Sequence, residues 1–208
     1  MTLELSDKEE YADKLTALHI RVLGELLAGK EYDEIRSKYQ KAFNLLNYEE
    51  IIINRANRLT FDEDGILIGA YPVSPLPTQH RITVAGYGTG YAMCAIDALG
   101  ATHTFKSAVT IESTTTDDGN SIQFTLSAKE IPESDVVVAF DPLQYDSLQE
   151  LVASNAQLAV DACPLINFYS NKSAVPENLK SMDFKTAIAE SKAIFSQDAI
   201  KAHIRKFL

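Results

Sequence analysis

The chain has 208 residues, 46% hydrophobic and 23% charged, with two cysteines and no tryptophan, which suits one sizeable or two small globular domains and excludes a fibrous or disordered class. Its net charge of −10 argues against a phosphate-tracking surface, because nucleic-acid binding draws on clustered Lys and Arg. The expectation is a cytoplasmic chain with no membrane span, because the sequence carries neither a basic start followed by an apolar stretch nor a long unbroken apolar run, and its cysteines should stay free thiols.

The first third reads as helical. Ser6 and Glu9 have capping-box spacing, and Leu15, Leu18, Val22, Leu23, Leu26 and Leu27 recur at helical intervals until Gly29. A second helix is predicted over residues 33–46, with Ile35, Tyr39 and Phe43 on one stripe, and a third is predicted to start at Asn47 as N-cap and to bury Ile51, Ile52 and Ala56. The period then changes to two: residues 59–71 read as a hairpin turning at Asp64-Gly65. Three helices and a hairpin outline a winged-helix-like module. The third helix balances Glu49 and Glu50 against Arg55 and Arg58, so the module has no positive face for DNA.

Ser74-Pro75-Leu76-Pro77 is the predicted domain boundary, dividing a helical module, residues 1–77, from residues 78–208. Beyond it the spacing predicts strands over residues 80–85, 107–113, 121–127 and 136–140, with a helix over 90–99 closed by Gly100 and a turn at Asp117-Asp118-Gly119-Asn120. Ser147 and Glu150 should cap a helix to about residue 160; Cys163 leads into a strand through Ile166, Phe168 and Tyr169; residues 184–207 form one or two amphipathic helices. The fold class is therefore α+β, a helical module followed by an antiparallel sheet with short helices.

The chemistry-bearing residues are few. Cys94 precedes Asp97 by three residues, a spacing that sets a thiol and a carboxyl group on one helical face. The plainer reading makes each cysteine a small buried hydrophobe. Gly86-Tyr87-Gly88-Thr89-Gly90 resembles a phosphate loop but lacks the Lys-Ser/Thr that would follow, and reads as a tight strand-to-helix turn. His80 and His103 are isolated candidates for a metal site, His19 and His203 have no context, and Tyr91 is a candidate pocket wall. The Asp117–Asn120 segment lacks the distal Glu of a calcium loop.

Four words in order carry a resemblance: Asp64-Gly65-Ile66-Leu67-Ile68-Gly69, Leu76-Pro77-Thr78-Gln79-His80-Arg81-Ile82, Tyr91-Ala92-Met93-Cys94-Ala95-Ile96-Asp97-Ala98-Leu99, and Cys163 five residues before Phe168-Tyr169-Ser170. They resemble the organomercurial (alkylmercury) lyase family over somewhat more than half the chain, densest over residues 64–131. The departures are Gly100-Ala101-Thr102-His103-Thr104-Phe105-Lys106, where the family has an apolar, Pro-containing stretch, and a longer segment before Cys163. Both flank the expected pocket.

The resemblance implies a winged-helix-like first domain and protonolysis of a carbon–mercury bond, a detoxifying activity of mercury resistance, with Cys94, Cys163 and Asp97 as both catalytic residues and transient ligands of the Hg(II) product. Thiolates are soft ligands matched to mercury, and an acid can protonate the departing carbon. No organic cofactor or resident metal is implied. The partners implied are an organomercurial or related organometal and, for release of Hg(II), cellular thiols or a mercury-accepting protein. Two other readings stand beside it: a non-catalytic Hg(II) or Cu(I) carrier using the same thiol pair, which would not need Asp97, and a winged-helix metal sensor, which the acidic charge disfavours.

Overall fold

The computed structural model describes residues 5–127, 130–141 and 162–208; the helix predicted over residues 147–160 lies outside them. Helix α1 spans Leu5–Leu27 and α2 spans Tyr32–Leu45. The next element is a π-helix, Glu49–Arg55. Asn47 does not cap it. With φ of 47° and its N–H on the Asn44 carbonyl, Asn47 instead closes α2 in the left-handed region. Glu50 pairs with Asn54 and Arg55, and Arg36 with Glu49, so this short helix presents compensated charge to solvent.

Strands β1 (Thr60–Phe61) and β2 (Leu67–Gly69) pair antiparallel around a loop in which Asp62 accepts from the Asp64 and Ile66 N–H groups, and Gly65 takes φ of +78°. This is the Asp-Gly hairpin read from the sequence. Strands β3 (Val73–Ser74), β4 (Arg81–Val84), β5 (Gly88–Ala92), β6 (Val109–Thr114) and β7 (Ser121–Leu126) form one antiparallel sheet in the order β3-β5-β4-β6-β7. Alternation in β6 buries Val109, Ile111 and Ser113, and β4 adds Ile82 and Val84 to the same face.

Helix α3 (Ala95–Phe105) lies on that face, and every residue of it except His103 is buried. Two expectations fail around it. The glycine run makes a strand-to-strand hairpin between β4 and β5, with Gly86 at φ of +83°, and not a strand-to-helix turn. Gly90 lies in β5 where a Cβ would meet the Leu27 carbonyl at 3.0 Å, so α1 can press against the strand only because no side chain stands there. The helix therefore starts at residue 95 and not 90. It also runs through Gly100, whose missing side chain makes room for Phe195, and stops at Lys106 with φ of 50°.

A second antiparallel sheet, β10-β8-β9, is built from β8 (Val137–Phe140), β9 (Asn167–Tyr169) and β10 (Lys180–Asp183). Helices α4 (Phe184–Phe195) and α5 (Gln197–Arg205) follow, capped by Asp183 on Thr186 N–H and Ser196 on Ala199 N–H. Helix α4 packs along α3, and α5 packs on α1. One apolar cluster runs from Leu15 through Ile111 to Ile204. Mixed helices and antiparallel sheets make the class α+β. Among the described residues no helix is long and apolar enough to cross a membrane.

Candidate active site

Cys94 is the N-cap of α3, with extended backbone at φ of −154°, and Asp97 is the third helical residue, so the two side chains meet across the first turn. Cys94 Sγ donates to Asp97 Oδ2 at 2.6 Å. Cys163 arrives on the segment that leads into β9 of the other sheet. It opens a 3-10 turn, Cys163–Leu165, in which the Ile166 N–H returns to the Cys163 carbonyl, and the Ile166 carbonyl accepts the Ala95 N–H at 3.1 Å. That one backbone bond occupies an otherwise free donor at the start of α3 and brings the two segments together. Cys163 Sγ lies 3.9 Å from the same Asp97 Oδ2, and one ligand atom from each of the three residues falls within 4.8 Å of the others.

All three groups are buried, at 1% exposure for Cys94, 2% for Asp97 and 5% for Cys163. Both cysteines are free. Burial pushes the Cys94 thiol well above its usual range, with Cys163 and Asp97 acting in the same direction. At Cys163 the hydrogen bond from Cys94 pulls downward, but burial and the Asp97 charge outweigh it and the thiol is also raised. Burial lifts Asp97 to about 7 against the opposing pull of the two thiols and of Arg58. The resting pocket therefore keeps its protons on the two thiols, both directed at Asp97, and a soft cation taking sulfur would displace them.

The space in front of these groups has a volume of about 40 Å³, room for a few water-sized groups. Its walls among the described residues are largely apolar, with Ile96, Ile166, Ile194 and Phe195 facing Tyr71, Arg58 and His203. Three of its polar atoms have no hydrogen-bond partner: Asp97 Oδ1, Arg58 Nε and the Tyr71 hydroxyl.

The other sequence candidates lie elsewhere or play different parts. His80 Nδ1 pairs with Ser113 Oγ at 2.9 Å and its ring meets Phe168 edge-on, so it is a satisfied core histidine. His103 sits in the last turn of α3, and neither His80 nor His103 joins the cysteine cluster. His19 pairs with Tyr48 at 2.9 Å beneath α1. Tyr91 lies in β5, and the tyrosine on the pocket wall is Tyr71. His203, which had no context in the sequence, donates from Nε2 to the Ala56 carbonyl and closes one side of the pocket. The Asp117–Asn120 segment is a turn, in which Asp118 accepts the Asn120 N–H while Asp117 reaches across to the Ser170 N–H.

Arg58, which the sequence places on the face of the third helix, is instead buried beyond the end of the π-helix. Nothing in its neighbourhood of the sequence announced this except the apolar Leu59 that follows it.

Three comparisons bear on these residues. No curated protein sequence matches the chain. A crystal structure described as the mercury-bound form of MerB2 is similar with a TM-score of 0.60 at 17% identity, covering 96% of this chain and 99% of that one, a likeness of fold. The family model of alkylmercury lyase, MerB, matches residues 73–196, a span that takes in β3 to α4 and contains both cysteines and Asp97. With more than half its length matched, the chain belongs to the alkylmercury lyase family and is an enzyme of that class.

Proposed function

We propose that this protein cleaves organomercurials by protonolysis in the pocket of Cys94, Asp97 and Cys163. The observation that carries the reading is the meeting of two free, buried thiols and one buried carboxyl group beside a mostly apolar pocket. Cys94 takes the mercury of R-Hg-X, releasing X⁻ and giving up its proton; Cys163 adds a second sulfur and its own proton leaves. Asp97, accepting from both thiols through Oδ2, is the group through which one of these protons passes. The carbon–mercury bonding pair takes that proton to give R-H, the second proton goes to solvent, and mercury remains Hg(II) on two thiolates. No oxidation state changes.

Softness matching favours sulfur for the metal, and the low-polarity walls strengthen each charge interaction inside. External thiols or an accepting protein then remove Hg(II). In this reading residues 1–77, where two helices, a π-helix and a hairpin follow in order, form a winged-helix-like scaffold, residues 78–208 carry the chemistry, and the protein works in the cytoplasm.

The test is incubation of purified protein with methylmercury or phenylmercury and excess thiol. Methane or benzene in amounts exceeding the protein supports the reading. Stoichiometric metal binding with no hydrocarbon overturns it in favour of a soft-metal carrier that uses the same thiols.

A further inference from the structure

The polar group this chemistry leaves unused is Arg58. Its side chain is 5% exposed, it stands on the wall of the cysteine pocket, and its Nε has no hydrogen-bond partner. Among the described residues no carboxylate lies within ion-pair distance of its guanidinium. The nearby carboxyl, Asp97, already serves both thiols through Oδ2. Burial lowers the guanidinium only to about 10, so it is cationic at neutral pH.

Asp97 acts on this charge through space, but the Nε donor has no hydrogen-bond acceptor, and a buried charged donor left unmatched is costly unless something completes it. A guanidinium offers a planar fork of donors that fits a carboxylate. The remaining walls, Ile96, Ile166, Ile194 and Phe195, hold apolar groups without orienting them, so Arg58 is the cationic handle of the pocket among the described residues. The Tyr71 hydroxyl, also buried and unpartnered on this wall, is a further donor for the same oxygen atoms.

We infer that Arg58 is a specificity-determining anion receptor, favouring mercury compounds in which a group on the metal carries a carboxylate. That group is either the organic substituent cleaved from mercury or the thiol that exchanges on the metal. The inference rests on the lyase reading of the same pocket and adds its substrate class.

Two matched pairs separate the sources. For the organic substituent, kcat/KM is measured with 2-carboxyethylmercury and with n-butylmercury, two substituents of similar length that differ in charge. For the thiol, the rate of Hg(II) release is measured with mercaptoacetate and with 2-aminoethanethiol. The wild-type enzyme should favour the carboxylate member of at least one pair by roughly tenfold or more, the scale of one charged hydrogen bond. Arg58→Met should erase that preference while n-butylmercury turnover falls by a smaller factor, and Arg58→Lys should retain part of it. Equal treatment of both members in both pairs by the wild type, or a parallel fall for both members in Arg58→Met, overturns the inference.

A third arm, independent of turnover, partitions each mercurial at equilibrium between the protein and a neutral thiol, read by intact mass. Here too Arg58→Met should lose a carboxylate preference that the wild type has, and absence of that preference in the wild type overturns the substituent arm. A protein that cleaves neither mercurial yet shows the preference would sink the lyase reading and leave Arg58 as a receptor. A thermal melt of each variant establishes that it is folded.

Discussion

Two of the polar clusters buried among the described residues behave differently. Beneath α1, His19 Nδ1 and the Tyr48 hydroxyl bond one another, Tyr48 stacks on Phe43 with ring centroids 4.3 Å apart, and apolar side chains close around them, so that the one unpartnered atom of this pair, His19 Nε2, faces packed core. At the start of α3, Cys94, Asp97 and Cys163 share one carboxylate oxygen, and the other oxygen, the Arg58 Nε and the Tyr71 hydroxyl are left without partners beside a cavity. Burial is common to both. Open valences facing free space belong to the second cluster, and they are what marks a place where a foreign group can be completed by the protein.

The contrast can be broken most severely at the sulfurs. Cys94→Ser and Cys163→Ser should each reduce hydrocarbon release from methylmercury by roughly a thousandfold or more, as for loss of a nucleophile from a concerted set, while the melting temperature moves little; a gas-phase methane assay and a thermal scan check both halves. Asp97→Asn comes next, with a fall of about a hundred- to ten-thousand-fold in turnover, the usual range for an acid–base group. Mercury capture by the two thiols should persist in that variant, visible as a mass increase.

The first cluster should instead answer in stability. Burial, and then Arg58, hold His19 near a pKa of about 3 against an ordinary 6.5. Between those values the unfolded chain binds a proton that the folded chain refuses, so the contribution is full above pH 6.5 and is lost as pH falls toward 3. His80 and His203, both lowered to about 4 by burial first and, for His203, by Arg58 as well, add to the same slope. Denaturant titrations from pH 6.5 to 4 should show stability falling by at most about 1.4 kcal/mol per pH unit for the fully buried His19 and by less for His80 and the partly exposed His203, and His19→Gln should flatten the curve.

Gly100→Ala puts a methyl group 2.7 Å from Phe195 Cγ. A loss of about 1–3 kcal/mol is expected from overpacking, together with weaker turnover, because Phe195 also walls the cavity. The smallest effect is reserved for Tyr48→Phe, which strands His19 Nδ1 and should cost roughly 1–2 kcal/mol in stability with kcat/KM unchanged. A comparable loss of activity there would dissolve the distinction between the two clusters.

Much of this arrangement could be read from the chain. The Asp64-Gly65 turn, the alternation of β6 and the three-residue interval from Cys94 to Asp97 are local signals, and local signals depend on a few neighbours. What escaped was set by distant contacts. Gly88 and Gly90 look like loop residues, yet they lie in β5, Gly88 at a φ of +147° and Gly90 where α1 needs the bare backbone. Gly100 looks like a helix stop, yet it stays helical because Phe195 fills its side-chain space. Arg58 looks like a solvated charge, yet it is buried on a pocket wall that it shares with residues of α3, α4 and α5, all distant in the chain. The lysine and serine of β10 have no strand preference and pair because β8 is already there.

The hydrogen bond from Ala95 N–H to the Ile166 carbonyl has a consequence for how this enzyme can diversify. The gap between the sulfur jaws is gauged by peptide groups, which every residue type except proline at 95 supplies equally. On the proposed reading, side-chain drift at Ala95 therefore leaves the grip on the heavy atom in calibration, while drift at Ile166, Ile194, Phe195 or Arg58 reshapes the chamber beside it. The metal stays constant and the carbon skeleton is what a lineage is free to renegotiate.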